Sequence, residues 1–470
     1  PNLAAAEIHG LDYDSRRTSP GSLFFAFPGA HADGRAFAQS ALDKGALAVA
    51  SDLPSPAGFA GSWIQVEHGR QALALASRNF YGKPDQRLGL TGITGTNGKT
   101  TTSFLIDAIL RAAGKITALI GTIEYRLAGA VRAAVNTTPE SLDLYRIFHE
   151  LEQAGGTHVT MEVSSHALAL GRVYGVTFHT AVFTNLTRDH LDFHLTMENY
   201  FAAKRLLFVP EGTPPAWAVI NQDDAYGQQI QTAKSTQVIR YGFAESANLR
   251  ATALEMTFEG LRFTAEYRGD KVRLASPLVG KINAYNILAA CGAAISYGFN
   301  WDMISQAIAG FRRVPGRFES IEEGQPFMVV VDYAHTDDAL RNVIAIAREL
   351  APKRVITLFG CGGDRDRAKR PLMGMAAAEG SDFVVLTSDN PRSEDPLDII
   401  NDALVGLRRF DTPHVIEPER LKAIELAIRE AKPGDIVILA GKGHEPYQVL
   451  KDRTIAFDDR EVARELLRKL

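Results

Sequence analysis

The stretch Thr94-Gly-Thr-Asn-Gly-Lys-Thr-Thr101 combines the residue types that can hold a nucleotide phosphate. Backbone N–H groups of a glycine turn converge on an anion, and a helix N-terminus behind the turn adds partial positive charge. Lys99 would reach the β- and γ-phosphates, and the Thr100 hydroxyl would meet a magnesium ion. An apolar run at 88–93 precedes the turn and a segment of helical period at 103–113 follows it. Strand, turn, then helix is the setting that gives such a motif meaning. The spacing here is Gly95-x-x-Gly98-Lys99-Thr100, whereas the strict form would need Gly at Ile93. An ordinary glycine turn with a solvated lysine would share these letters, but the strand and helix around it favour a nucleoside triphosphate site.

Further polar groups stand at the ends of other β-like runs. Glu162 lies in Met161-Glu-Val-Ser-Ser-His166, and His190 in Asp189-His-Leu-Asp-Phe-His194. A carboxylate and imidazoles near a phosphate loop suit magnesium, which prefers oxygen, although a metal-free polar cluster would read the same way. Zinc would want thiolate and neutral imidazole in a tetrahedral set, and the upstream phosphate loop favours magnesium. Lys204 sits among apolar neighbours at helical spacing. It reads either as a surface lysine with a snorkelling stem or as a partly buried amine of lowered pKa. Four more clusters, Asp332-Tyr-Ala-His335, Gly360-Cys-Gly-Gly-Asp364, Ser388-Asp-Asn-Pro-Arg392 and Gly441-Lys-Gly-His-Glu445, each follow a β-branched run. Ligands of doubly wound sheets sit off such strand ends.

The elements that must position these groups alternate. Residues 1–87 read as a small α/β unit with strands at 23–27, 46–50 and 63–66 and a helix at 69–81. Strands at 116–120, 157–163, 180–184 and 217–220, with a helix at 141–153, make the phosphate-loop region a parallel α/β domain. Residues 247–279 alternate apolar and polar around Glu259-Gly260 and Arg268-Gly-Asp270, which predicts antiparallel hairpins, and helices follow near 284–297 and 302–311. Strands at 327–331, 355–359, 383–386 and 436–439 predict a Rossmann-like sheet after about 315. The expected domains are therefore 1–87, 88–314 and 315–470.

A chain of 470 residues exceeds one core, which suits about three domains. The net charge of −4 argues against a dominant non-specific nucleic-acid binder. Only Cys291 and Cys361 occur, without a CxxC pair, as in a reducing compartment. No apolar run reaches the ~18 residues of a membrane span, and no secretory pattern opens the chain. A cytoplasmic enzyme is expected. The chain begins at Pro1 rather than Met, so further native sequence is expected ahead of it.

Taken in order, eight motifs resemble the Mur ligases, the ATP-dependent amide-forming enzymes that build the peptide stem of peptidoglycan. They are Asp14-Ser-Arg16, the 94–101 loop, Asn136-Thr-Thr-Pro139, Met161–His166, Asp189–His194, Ala202-Ala-Lys204, Gly316-Arg-Phe-Glu319 and Asp332–His335. Within that family the chain looks most like the members that add the third residue of the stem. Asp389-Asn-Pro-Arg-Ser-Glu-Asp-Pro396 resembles those specific for meso-diaminopimelate.

The resemblance implies three α/β domains: a small N-terminal one, a central phosphate-loop ATPase with a parallel sheet and antiparallel hairpins, and a C-terminal Rossmann-like one. It implies that Ser15, His31, Asn136, Thr137, Thr138, Ser164 and Arg172 hold UDP-MurNAc-L-Ala-D-Glu. Leu170 stands where relatives often carry a polar residue, and Ala30-His31 replaces a His-Gln pair. ATP would lie on Gly95, Thr96, Asn97, Gly98, Lys99, Thr100 and Thr101, with Asn283, Arg317 and His335 toward base and ribose. Thr100, Glu162, His190 and a carbamate on Lys204 would gather Mg²⁺, making Lys99, Lys204, Glu162 and His190 the catalytic set. Arg370, Asp389, Asn390, Pro391, Arg392, Gly441 and Glu445 would take meso-diaminopimelate. A diamino acid with two carboxylates needs a guanidinium fork and an ammonium acceptor, which Arg392 and Glu445 offer. The implied reaction is acyl-phosphate formation on the D-glutamate followed by amide formation, by a monomer without nucleic-acid or membrane partners. Ligation of L-lysine or another amino acid, a folylpolyglutamate-type relative and a nucleotide switch without amide chemistry are the alternatives.

Overall fold

The computed structural model describes residues 6–29 and 32–470, so the expectations on Ala30 and His31 lie outside the described residues. The chain divides into two compact units, Pro1–Leu249 with Ala289–Ile304 and Arg250–Leu288 with Ser305–Leu470.

The first unit carries two sheets. Strands Gly10–Asp12, Ser22–Phe25, Ala48–Ser51 and Trp63–Gln65 pair in that order, all parallel. Alternate residues serve opposite faces: Phe24 and Val49 pack with Ala38 and Ala41, while Phe25 and Ala50 pack with Leu73 and Leu142. Leu73 belongs to helix Gly69–Phe80 and Leu142 to helix Ser141–Gln153. The second sheet runs Gln237–Gly242, Trp217–Asn221, Thr180–Phe183, Gly89–Thr94, His158–Glu162 and Thr117–Ile120, all parallel. The hairpin Glu124–Leu127 with Ala130–Ala133 extends its edge. The phosphate-loop strand is thus flanked by His158–Glu162 and Thr180–Phe183, and the loops after all three leave from the same end. This order brings residues distant in sequence to one crevice.

At the amino ends of those strands lies a second polar group. The Tyr297 ring stacks on His179 at 4.3 Å and meets His158 edge-on at 4.9 Å. Burial, then the charges of Lys115 and His179, push the His158 imidazole down to about 4. An unfolded histidine titrates near 6.5, so the unfolded chain takes up this proton first as pH falls. The contribution is complete above about pH 6.5 and is lost toward pH 4. Partial exposure screens it, leaving about 1 kcal/mol. His158→Gln should flatten the fall in denaturant midpoint between pH 7 and 4.5 by that amount. An unchanged slope would contradict this.

In the second unit the antiparallel pair Gly260–Tyr267 and Asp270–Ser276 joins at Arg268-Gly269, with Leu249–Thr257 next in the sheet order. A six-stranded sheet follows in the order Glu319–Ile321, Met328–Asp332, Ile436–Ala440, Val355–Phe359, Phe383–Leu386 and His414–Ile416. Its first strand is antiparallel and the others are parallel. Val330, Phe359 and Ile438 face one apolar layer, and Val329, Leu358 and Val437 the other. Burial on both faces is why these strands read as continuous β-branched runs. Under the strand ends, Arg420 and Asp459 pair at 2.6 Å with no exposed side-chain surface, and Arg420 also donates to Ser388 O and Ala440 O. No helix among the described residues is long and apolar enough to cross a membrane. Both cysteines are free and buried.

Candidate active site

The phosphate loop leaves strand Gly89–Thr94 and enters helix Lys99–Ala112, whose N-cap is Gly98 at φ 85°. Gly95 takes φ 151°, and a Cβ there would lie 1.8 Å from Thr184 Oγ1, so the loop can pass only as glycine. The loop is pinned from the neighbouring strand end. Thr96 N donates to Asn185 O and Asn97 N to Asn185 Oδ1, both at 2.9 Å, while Thr184 Oγ1 donates to Asn97 O at 2.7 Å. Lys99 Nζ donates to Gly95 O at 2.9 Å and to Thr96 O at 2.8 Å. Thr100 and Thr101, in the first helical turn, are buried.

A second ammonium shares that carbonyl. Lys204 Nζ donates to Gly95 O at 2.9 Å and lies 4.6 Å from the centre of the Tyr200 ring. Its residue is 1% exposed, which excludes the snorkelling reading. Burial, then the charge of Lys99, pushes this amine well below the ordinary lysine range, with Asp189 opposing. Burial likewise lowers His190, with Asp189 opposing and Lys99 and Lys204 adding to the shift. A neutral imidazole is the form that ligates metal. His190 sits in the left-handed region at φ 52°, and its ring is 4.9 Å from that of His166.

Glu162 is fully buried and stands across from Ile93 in the sheet register, at the same end as the phosphate loop. Its Oε1 accepts from Thr122 N at 2.9 Å and its Oε2 from Thr122 Oγ1 at 3.1 Å. The Glu162 carboxylate and the Thr100 hydroxyl are oxygen donors of the type magnesium prefers, and neutral His190 is a softer nitrogen donor. No group of three or more His, Cys, Asp or Glu arranged for a metal occurs among the described residues.

Thr137, Thr138 and Ser164, among the residues expected to hold the larger substrate, stand beside Glu162 and Thr122. Thr138 Oγ1 donates to Glu162 O at 2.9 Å and accepts from Ser164 N at 3.0 Å, and Thr137 Oγ1 is 3.1 Å from Thr122 Oγ1. Tyr125 OH accepts from Asn136 N and donates to Asn136 O. Ser164 caps the short helix Ser165–Ala169. Arg172 donates to Glu140 Oε1 at 2.9 Å and Thr138 O at 3.1 Å, so it is fixed beside Thr137 and Thr138. Ser15 is buried in the turn after Gly10–Asp12, and its carbonyl accepts from Lys44 Nζ at 2.8 Å.

In the second unit, Asn283 and Arg317 line one cavity of about 1080 Å³, with Arg313, Glu319 and Arg464. Arg317 lies 5.0 Å from the Tyr333 ring, and its buried Nε finds no partner among the described residues. Asn283 Nδ2 donates to Val279 O at 2.7 Å. His335 Nδ1 is 2.9 Å from Tyr333 O, and burial lowers this imidazole.

The remaining candidates gather where strands Val355–Phe359, Phe383–Leu386 and Ile436–Ala440 end. Gly441 has φ 114°, and a Cβ there would meet Asp389 Oδ2 at 2.6 Å. Asn390 Nδ2 donates to Glu445 Oε2 at 2.9 Å, joining the 389–392 and 441–445 loops. Arg392, at φ 52°, donates through Nη1 to Gly363 O at 2.8 Å and to Asn390 O at 3.4 Å. Its Nε and Nη2 donate to nothing among the described residues. Pro391 O accepts from Glu394 N at 3.1 Å. Arg370 differs from expectation. Its guanidinium is fully buried, with both Nη groups spent on Glu394 (2.7 and 2.9 Å), Asp402 (3.0 Å) and Gly362 O (3.4 Å), while Nε finds no partner among the described residues. It therefore fastens the loop and offers no open fork.

Thr184, Asn185, Thr122, Glu140 and Tyr200 belong to this architecture but were not among the site residues expected from sequence. Thr184, Asn185 and Thr122 stand at or just beyond strand ends, where no periodicity marks them, whereas Glu140 stands at the N-cap of helix Ser141–Gln153 and Tyr200 lies within helix Met197–Arg205.

Three family models match the chain: "Mur ligase family, catalytic domain" over 7–81, "Mur ligase middle domain" over 93–294 and "Mur ligase, glutamate ligase domain" over 316–443. The chain is similar to the UDP-N-acetylmuramoyl-L-alanyl-D-glutamate--2,6-diaminopimelate ligase of Solibacter usitatus, 67% identical over 100% of this chain and 95% of the relative. The protein of that name from Geobacillus thermodenitrificans is 46% identical over 97% of this chain and 94% of its own. A solved structure of a ligase of that name superposes with TM-score 0.72 at 34% identity, covering 98% and 95% of the two chains. Folylpolyglutamate synthase of Mycobacterium tuberculosis shares the fold, with TM-score 0.63 at 17% identity over 79% of this chain and 92% of that one. The phosphate loop, the paired loops of the second unit and this full-length likeness lead to one conclusion: the chain belongs to the Mur ligase family.

Proposed function

We propose that this chain is an ATP-dependent ligase that joins meso-2,6-diaminopimelate to UDP-MurNAc-L-Ala-D-Glu through an acyl phosphate, in the cytoplasm, with domains at 1–87, 88–314 and 315–470. The observation that carries the reading is the Asn390–Glu445 hydrogen bond, which joins the loop bearing Arg392 to the loop bearing Glu445, in a chain 67% identical to a relative named as that ligase.

In this reading Gly95 to Thr101 bind the phosphates of ATP, and Asn283, Arg317 and His335 meet its base and ribose. Ser15, His31, Asn136, Thr137, Thr138, Ser164 and Arg172 hold the UDP-MurNAc-dipeptide. The D-glutamate carboxylate attacks the γ-phosphorus, ADP leaves, and Lys99 spreads the developing charge. Thr100, Glu162, His190 and a carbamate on Lys204 would hold Mg²⁺, which supplies Lewis-acid charge at the phosphates when bound. The amine of diaminopimelate then attacks the acyl carbon and phosphate leaves. Asp389, Asn390, Pro391, Arg392, Gly441 and Glu445 hold the diaminopimelate, and Arg370 holds their loop.

Diaminopimelate differs from L-lysine by one distal carboxylate, so selection needs a group that binds it. The open nitrogens of Arg392 supply two charge-assisted hydrogen bonds, and lysine would leave that cation unmatched. About 2–5 kcal/mol of discrimination is expected. Arg392→Ala should raise KM for diaminopimelate roughly 30-fold or more and leave KM for ATP within about threefold. Steady-state kinetics with both amino acids test this. A mutant that keeps the wild-type preference would contradict it.

A further inference from the structure

Lys442 lies between the two loops of the amino-acid pocket and has no exposed surface. Burying an ammonium is costly unless it is paired, and an apolar side chain would fill the same space more cheaply. Its Nζ donates to Asn390 Oδ1 at 3.2 Å and lies 3.5 Å from Glu445 Oε2, with the Tyr447 ring centre 5.7 Å away. Asn390 Oδ1 also accepts from Val449 N at 2.9 Å. Two donors on one amide atom decide its identity: a flipped amide would set NH₂ against both an ammonium and a backbone N–H. Asn390 Nδ2 is thereby turned to Glu445 Oε2, and this oxygen receives the amide and the lysine together. Glu445 Oε1 accepts no hydrogen bond among the described residues, and the side chain keeps 17% exposure.

We infer that Lys442 is a positioning residue for amino-acid recognition. It locks the Asn390 amide and anchors one oxygen of Glu445, leaving the other oxygen to bind an ammonium group of the diamino acid. The inference rests on the ligase reading above. Lys442 acts through Asn390 and Glu445, so its loss weakens binding of the amino acid while phosphoryl transfer from bound ATP keeps its machinery.

The test is steady-state kinetics of the full chain with Lys442→Met and Lys442→Gln. KM for diaminopimelate should rise about 10- to 100-fold, with kcat and KM for ATP within about threefold. The effect should be smaller for Gln, which keeps a donor. Combining Lys442→Met with Glu445→Gln should cost little beyond Glu445→Gln alone, because the two act as one unit. A folded variant with KM for diaminopimelate within about twofold of wild type, a parallel rise in KM for ATP, or fully additive effects would overturn the inference. Loss of folding in both single variants would overturn it too, assigning Lys442 to stability alone. A wild type that forms no diaminopimelate-dependent product would instead remove the ligase reading, and this inference with it.

Discussion

Lys99→Ala should reduce ATP-dependent ligation at least about 1000-fold, equivalent to about 4 kcal/mol of transition-state stabilisation. Lys99 Nζ now rests on Gly95 O and Thr96 O, at the mouth of the turn where a γ-phosphate would sit. Backbone dipoles can bind the ground-state phosphates, but they cannot follow charge as it shifts to the transferring group. The loop itself is held by Thr184 and Asn185, so the variant should fold with a near wild-type melting temperature. Phosphate release coupled to both substrates is the measurement. A folded variant within tenfold of wild type would contradict the assignment of the loop.

Lys204→Ala should be nearly as severe, about 100-fold or more in kcat. Full burial strips the Lys204 amine of water, and the Lys99 ammonium on the same carbonyl repels it, so its pKa is pushed well below the ordinary lysine range. A neutral amine adds CO₂ through its lone pair and releases a proton, giving a carbamate with two anionic-type oxygens. Alanine cannot supply these, whereas added formate or acetate can enter the vacated space. Activity of Lys204→Ala should therefore recover partly with either carboxylate, and that of Lys99→Ala should not. Lack of any rescue in a folded Lys204→Ala protein, or near-normal activity without it, would contradict the carbamate.

Much of this architecture is legible in the letters because its strands are buried on both faces. Val355–Phe359 and Phe383–Leu386 lie within the bounds expected from their β-branched runs, and helix Ser141–Gln153 stops where Gly155-Gly156 marks an end. The hairpin strand Ala130–Ala133 escapes notice because all four residues are exposed and no apolar alternation survives. Gly10–Asp12 and Tyr447–Val449 are three residues each, too short to show a period. The site divides along the same line. Local motifs announce the phosphate loop and the 389–392 loop, yet no motif tells that Lys204 and Lys442 are buried, since burial is a property of tertiary packing. Arg370 shows the converse limit: its letter suggests a fork for a substrate, and only Glu394, 24 residues on, reveals that the fork is already filled.

The most direct test of the central claim is a ligation assay with ATP, UDP-MurNAc-L-Ala-D-Glu and a panel of amino acids, following phosphate release and the ligated product together. A ligase with this pocket releases phosphate in step with product only when both co-substrates are present. It gives kcat/KM for meso-diaminopimelate at least about 30-fold above that for L-lysine. Phosphate release that ignores the amino acid, or equal kcat/KM for the two diamino acids, would contradict it.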